Sequence, residues 1–187
     1  MSRSFLWKSL VVVLGCAIIA FTAGVGSVNA AAVGQVVSNP QIRDANDNPA
    51  TIADFGTHVI ALTYANKKAG DFGDPMNDAM KAKKYPKDVY TGMGVVNMKD
   101  SSGVPDFIIR KAVKNKIEKY KSTILTDPDL TLAKAWNLGN CKDKSVLIVI
   151  GKDKKIKYLR YTDTSNPWNK TDIDAALKIV DELIFKK

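Results

Sequence analysis

The stretch that most constrains this chain is KSVLIVIGKDKKIKYLRY, at residues 144–161. Residues 146–150 are continuously apolar, the pattern of a strand buried on both faces. Gly151, Lys152, Asp153 and Lys154 supply a turn, and residues 155–161 follow as a second strand. Lys155, Lys157 and Arg160 suit an edge, where charge discourages pairing with other chains. A strand with no polar face needs cover on both sides, so the rest of the chain must supply helices to two layers.

The remaining pattern fits that demand. Residues 57–64 (THVIALTY) read as a first buried strand and residues 88–98 as a second, whose glycines allow close approach to its backbone. Asp74-Pro75 predicts a helix start, with Asp74 capping free amides and Pro75 at the first helical position. Met76, Ala79, Met80 and Lys83 carry the period to about Tyr85, and Pro86 ends it. Residues 105–120 predict a helix burying Phe107, Ile108, Ala112, Val113, Ile117 and Tyr120. Its outer face carries Arg110, Lys111, Lys114, Lys116 and Lys119, read as a solvated surface favoured by the helix C-terminus. A short strand at 123–126 precedes Asp127-Pro128, a second helix start that runs through Leu132, Ala133, Trp136 and Leu138 to a cap at Gly139. The last helix begins at 171–174 and buries Ile173, Ala176, Leu177, Val180 and Ile184. Residues 31–56, rich in Asn, Asp and Pro, form an arm or hairpin packed on the domain edge. The order is β-α-β-α-β-α-β-β-α, an α/β domain over 57–187 with a mixed sheet between helical layers.

Residues 1–30 are expected to be a signal segment. Arg3 and Lys8 precede an uncharged apolar run over 10–23, and Val28-Asn29-Ala30 fits a small-residue cleavage site. Cleavage after Ala30 is the first expectation and after Ala32 the second. The stretch at 9–28 is also long enough to remain as an anchor, because about 20 apolar residues span a bilayer. Val13-Leu14-Gly15-Cys16 resembles a lipoprotein box only loosely, since the apolar run continues past Cys16. Cleaved export, to the periplasm or beyond, therefore ranks above an inner-membrane anchor. The mature chain of about 157 residues suits one domain with its own core. Only Cys141 survives cleavage, so no intramolecular disulfide forms and packing must supply stability. Formal charge falls from +9 to +7 once Arg3 and Lys8 are removed. In an exported monomer this favours solubility, or anionic lipid or polysaccharide, over nucleic acid. Membrane contact is expected only through the N-terminal segment.

Several stretches carry a resemblance to a known family. They are Gly94-Val95-Val96-Asn97, Thr123-Ile124-Leu125-Thr126-Asp127 with Ala135-Trp136-Asn137-Leu138, and Lys144-Ser145 running through residues 146–150 to Gly151-Lys152-Asp153. With the order of elements, these resemble the thioredoxin-like superfamily, and more narrowly the YtfJ-like exported proteins of Gram-negative bacteria. The resemblance covers residue 34 to the C-terminus, most securely from residue 88. It implies a three-layer thioredoxin-like fold and an extracytoplasmic location, but no reaction. Redox-active members of that superfamily carry Cys-x-x-Cys after the first core strand. Here that loop, residues 64–75, has no cysteine, and Lys144-Ser145 stands where the fold's cis-proline is expected. Dithiol exchange needs a thiolate and a resolving partner, so disulfide oxidoreductase and peroxiredoxin chemistry are disfavoured.

Other candidates remain. Cys141 lies beside Lys142 and near Lys144, cations that would lower the pKa of an exposed thiol; a small buried role competes with that and is preferred. His58 is the only histidine, and no His/Cys cluster has metal-ligand spacing, so no metal or cofactor is implied. Asn66, Lys67 and Lys68 lead to the Asp74-Pro75 helix start where an anion would sit, Asp71 and Asp74 would favour a hard cation instead, and an inert capping loop ranks above both. Ser145 is expected opposite this loop. Trp168, Tyr158 and Tyr161 are read as packing of a loop on the sheet. The sum is a non-catalytic envelope module binding a protein or anionic partner through Asn66, Lys67, Lys68, Asp71, Asp74 and Ser145. A single-cysteine sensor or thiol enzyme using Cys141, or a tethered envelope domain, is the alternative.

Overall fold

The computed structural model describes residues 30–101 and 103–186. The expected signal segment, Ala30 apart, lies outside the described residues. Seven strands form one mixed sheet: β1 (Ile42–Arg43), β2 (Pro49–Ala50), β3 (Val59–Asn66), β4 (Tyr90–Asn97), β5 (Thr123–Asp127), β6 (Ser145–Ile150) and β7 (Ile156–Thr162). Their spatial order is β2-β1-β5-β4-β3-β6-β7. β3, β4 and β5 run parallel, and β6 pairs antiparallel with β3 and with β7. The continuous apolar run is β6, buried at every position, and the lysine-bearing strand is the edge β7. The N-terminal arm has two parts: residues 34–37 bond to residues 154–156 at the start of β7, and the hairpin β1–β2 lies on the other edge against β5.

Alternation along the strands sorts the core into two layers. On one face Ile60, Leu62, Tyr64, Met93, Val95, Leu125, Val146 and Ile148 meet Leu132 and Trp136 around the short helix α3, Thr131–Ala135. On the other, Val59, Ala61, Leu147 and Val149 meet Met76 and Met80 of one helix and Ala176 and Val180 of another. The first is α1, Asp74–Lys83; the second is α4, Lys170–Phe185. Each fully buried Leu, Ile or Met contributes about 2 kcal/mol by leaving water. The two helices are further tied by Asp181, which accepts from Lys83 Nζ at 2.6 Å and Tyr85 Oη at 2.8 Å.

The helix that covers β4 and β5, α2 (Asp106–Tyr120), departs from expectation. Its buried residues are Ile109 and Val113, with Ile117 half-buried, while Phe107, Ile108, Ala112 and Tyr120 are exposed. The apolar patch beneath it is small, formed by Ala45, Met98, Val96 and Ile124, so a single i, i+4, i+8 row fills it. Arg110 also turns inward: Nη1 donates to Asp44 O and Thr126 Oγ1, both at 3.0 Å, and Nη2 pairs with Asp47. This basic residue staples the hairpin to the domain.

Three caps differ from the sequence-based expectation. Asp74 is the first residue of α1 and makes no capping bond; a 3-10 turn at Gly70–Gly73 leads the chain in. Asp127 does cap α3, but from β5, across a turn in which Pro128 and Asp129 precede the helix. That helix ends at Ala135, short of the residue 138 end expected. The last helix is capped by Asn169, two residues ahead of the start expected at Thr171; its Oδ1 accepts from Asp172 N at 3.0 Å. Arg160 pairs with Asp172 and lies 5.1 Å from the Trp168 ring, which packs that loop on the α1/α4 face.

Candidate functional site

The parallel strands end in register. Asn66 pairs laterally with Asn97, and Asn97 with Asp127, so three polar side chains stand in a row on one face at the carboxyl ends of β3, β4 and β5. Asn66 is 1% exposed and the other two are fully buried. Open α/β sheets place ligand sites at this end of the strands. The sequence singled out Asn66 through its loop, which stands where the resembled fold places its active site; Asn97 and Asp127 entered only as residues of the family resemblance and, for Asp127, as a helix start. Asn97 and Asp127 needed the lateral register, although the available signal was that the strands Val59–Asn66, Tyr90–Asn97 and Thr123–Asp127 each end on Asn or Asp.

The row is satisfied from within. Asn66 Nδ2 donates to Asp100 O at 3.2 Å and Asp143 Oδ1 at 3.1 Å, and its Oδ1 accepts from Ala69 N at 3.0 Å. Asn97 Nδ2 donates to Asp100 Oδ2 at 2.7 Å, while its Oδ1 accepts from Asp100 N at 3.0 Å. Ser101 Oγ donates to Asn97 O at 3.0 Å and accepts from Lys67 N at 3.1 Å. Asp127 accepts from Thr131 N at 2.7 Å on Oδ1, and from Tyr64 Oη, Leu132 N and Ala133 N on Oδ2. Burial pushes the Asp127 carboxyl above its ordinary range, against the pull of those donors. Burial and the neighbouring Asp127 likewise raise the Tyr64 phenol. The network locks the loops after β3 and β4 together, as buried polar groups with complete partners do.

The residues singled out from the sequence do not form one cluster. Asn66 faces the α3 layer, whereas Ser145 pairs with Ala65 and faces the α1/α4 layer. Ser145 lies under the 3-10 turn: a Cβ on Gly73 would stand 3.0 Å from both Ser145 Oγ and Thr63 Cγ2. Lys67 is exposed and tied only by its backbone amide. Lys68 Nζ pairs with Asp143 at 2.8 Å, holding that carboxyl below its usual range together with Asn66. Asp71 pairs with Lys116 at 3.4 Å. The Asp74 carboxyl is pushed up by partial burial and by Asp71, with Lys116 opposing. Acids therefore occupy the start of α1, which weakens an anion site there. Among the described residues no three His, Cys, Asp or Glu side chains gather as metal ligands would. His58 sits at the far end of β3, with Nδ1 3.0 Å from Thr91 Oγ1.

Cys141 belongs to the core. It is 2% exposed, its Sγ donates to Leu138 O at 3.6 Å, and it packs in the cluster of Tyr64, Trp136 and Val146. Burial pushes its thiol up to about 11, Asp100 adds to the rise, and Lys144 only partly opposes it. The cationic neighbours expected to lower it are outweighed by desolvation.

With this geometry in hand, a family model described as a bacterial protein of unknown function, YtfJ_HI0045, matches residues 19–183. The chain belongs to that family. Similar solved structures include the exposed lipoprotein thioredoxin Etrx1 of Streptococcus pneumoniae, at 15% identity and TM-score 0.57, covering 78% of this chain and 100% of that one. A putative thiol:disulfide interchange protein DsbE from Chlorobium tepidum aligns at 13% identity and TM-score 0.59, covering 83% and 99%. A hypothetical protein from Sinorhizobium meliloti aligns at 18% identity and TM-score 0.60, covering 85% and 87%. No curated protein matches. This YtfJ_HI0045 member therefore has a thioredoxin-like fold, and likeness at such identities carries architecture alone.

Proposed function

We propose that the protein is an exported thioredoxin-fold module that works by binding rather than by thiol chemistry, using the carboxyl edge of its sheet. The observation that carries this is the buried Asn66–Asn97–Asp127 row, whose hydrogen bonds are spent on the loops themselves and hold the 66–73 loop rigid. A loop fixed in this way presents Lys67 at low entropic cost, as a preorganised recognition surface does. Its partner is a protein or anionic group of the cell envelope. Among the described residues no helix is long and apolar enough to cross a membrane, so a tethered domain would depend on residues 1–30. The alternative that uses Cys141 as sensor or nucleophile is opposed by the burial of its thiol.

The test is photo-crosslinking in cells, with a benzophenone amino acid replacing Lys67 and, as a control at the opposite end of the sheet, Lys87. A discrete adduct from position 67 that weakens in the K68E background supports the edge as the binding surface. Absence of an adduct at 67, or the same adducts from both positions, would discard it.

A further inference from the structure

The outward face of α2 combines features that a solvated helix does not need together. Phe107 is 70% exposed and Ile108 41%, side by side on the first turn. Lys111, Lys114 and Lys119 continue the same face, all exposed, and enter no ion pair among the described residues. The acids of this helix are Asp106 and Glu118, too few to neutralise them. At its C-terminal end Tyr120 is 50% exposed, with Lys119 Nζ 5.0 Å and Lys81 Nζ of α1 5.2 Å from its ring centroid. Two adjacent exposed apolar side chains are ordinary on their own; set among three unpaired lysines they give the apolar and cationic pattern of an interfacial helix face.

We infer that this face docks on an anionic phospholipid surface. A bilayer interface satisfies both halves of the pattern: acyl chains and glycerol take Phe107 and Ile108, and headgroup phosphates take the unpaired ammonium groups. The net charge, +9 for the full chain and +7 without Arg3 and Lys8, acts in the same direction at long range. The membrane contact expected only from the N-terminal segment thus has a second source in the folded domain. This surface is separate from the Lys67 edge, so the two proposals stand or fall independently.

The test is flotation of the full chain, in the form recovered from cells, with vesicles of phosphatidylcholine alone or with about 30 mol% phosphatidylglycerol, at roughly 0.05 M and 0.3 M salt. The expected result is binding to anionic vesicles that weakens with salt, falls about tenfold or more in K111E/K114E/K119E, and falls several-fold in F107A/I108A. K87E/K152E, which reverses two exposed charges away from α2, should bind as the parent does. An apolar N-terminal segment holds a chain on any bilayer, so depth is also read at the helix itself: the extra indole of F107W should shift to shorter wavelength and be quenched by brominated lipid. Equal binding to neutral vesicles with no shift in F107W, or parental binding by both α2 variants, would overturn the proposal. So would retention by an acidic protein or polysaccharide without affinity for anionic vesicles.

Discussion

Asp127 holds more of the structure than any other single side chain at the carboxyl edge. Its carboxylate receives three backbone amides and the Tyr64 hydroxyl in a site closed to water. Asp127→Ala leaves Leu132 N, Ala133 N and Tyr64 Oη buried without an acceptor, and the expected loss is about 3 kcal/mol in urea unfolding. A loss under about 0.5 kcal/mol, the range of ordinary surface substitutions, would contradict that role. At Cys141 the expected outcome is slow alkylation of the native protein. With a thiol near 11, its rate at neutral pH should be about a hundredfold below that of a free cysteine, and should rise on unfolding. Peptide mapping distinguishes this site from Cys16. Both residues stand in the chain beside features that invite another interpretation, Pro128 for one and two lysines for the other. At the second, burial, a property of the fold, outweighs the lysines.

At the scale of elements, α2 shows how periodicity can name the right helix and the wrong face. Apolar residues fall at 107, 108, 109, 113, 117 and 120, and more than one stripe can be drawn through them. Only the row Ile109, Val113, Ile117 meets the small patch of Ala45, Met98, Val96 and Ile124. Ile109→Ala should therefore cost about 2–4 kcal/mol, whereas Ile108→Ala should change stability by less than about 0.5 kcal/mol. Equal effects of the two substitutions on the unfolding midpoint would restore the face expected from sequence. The other elements were legible because their signals are local. β6 is buried at every position and apolar from Val146 to Ile150, and α1 begins with Pro75 at the start of its first turn, even though the expected cap at Asp74 does not form. The hairpin of β1 and β2 was legible as an edge arm, but the Arg110 staple that holds it was not, since Asp44, Asp47 and Arg110 are far apart in the chain.

For the whole molecule, acid should be destabilising. Asp44, Asp143, Asp153, Asp163 and Asp181 are held below their ordinary value of 3.8, so the stability they contribute is full above that value and is lost as pH falls through their folded pKa values. Asp74 and Asp127 are raised and act oppositely, since protonating them relieves a burial penalty that is present above their folded pKa values. Denaturant midpoints at pH 6 and pH 3 should fall with acid, and the fall should be steeper in Asp127→Asn, which lacks the compensating proton uptake. A shallower fall in that variant would mean that the donors around Asp127, not its burial, control its charge. By itself the sequence determined the α/β class, the order of elements, the edge role of β7 and the want of a Cys-x-x-Cys, because strand period, turn residues and cysteine spacing act over a few neighbouring residues. Tertiary structure alone decided which polar strand ends share a row, that Ser145 and Asn66 face opposite layers, and which side of α2 meets solvent. Those facts depend on lateral register and on the shape of the surface each element covers, which arise between segments distant in the chain.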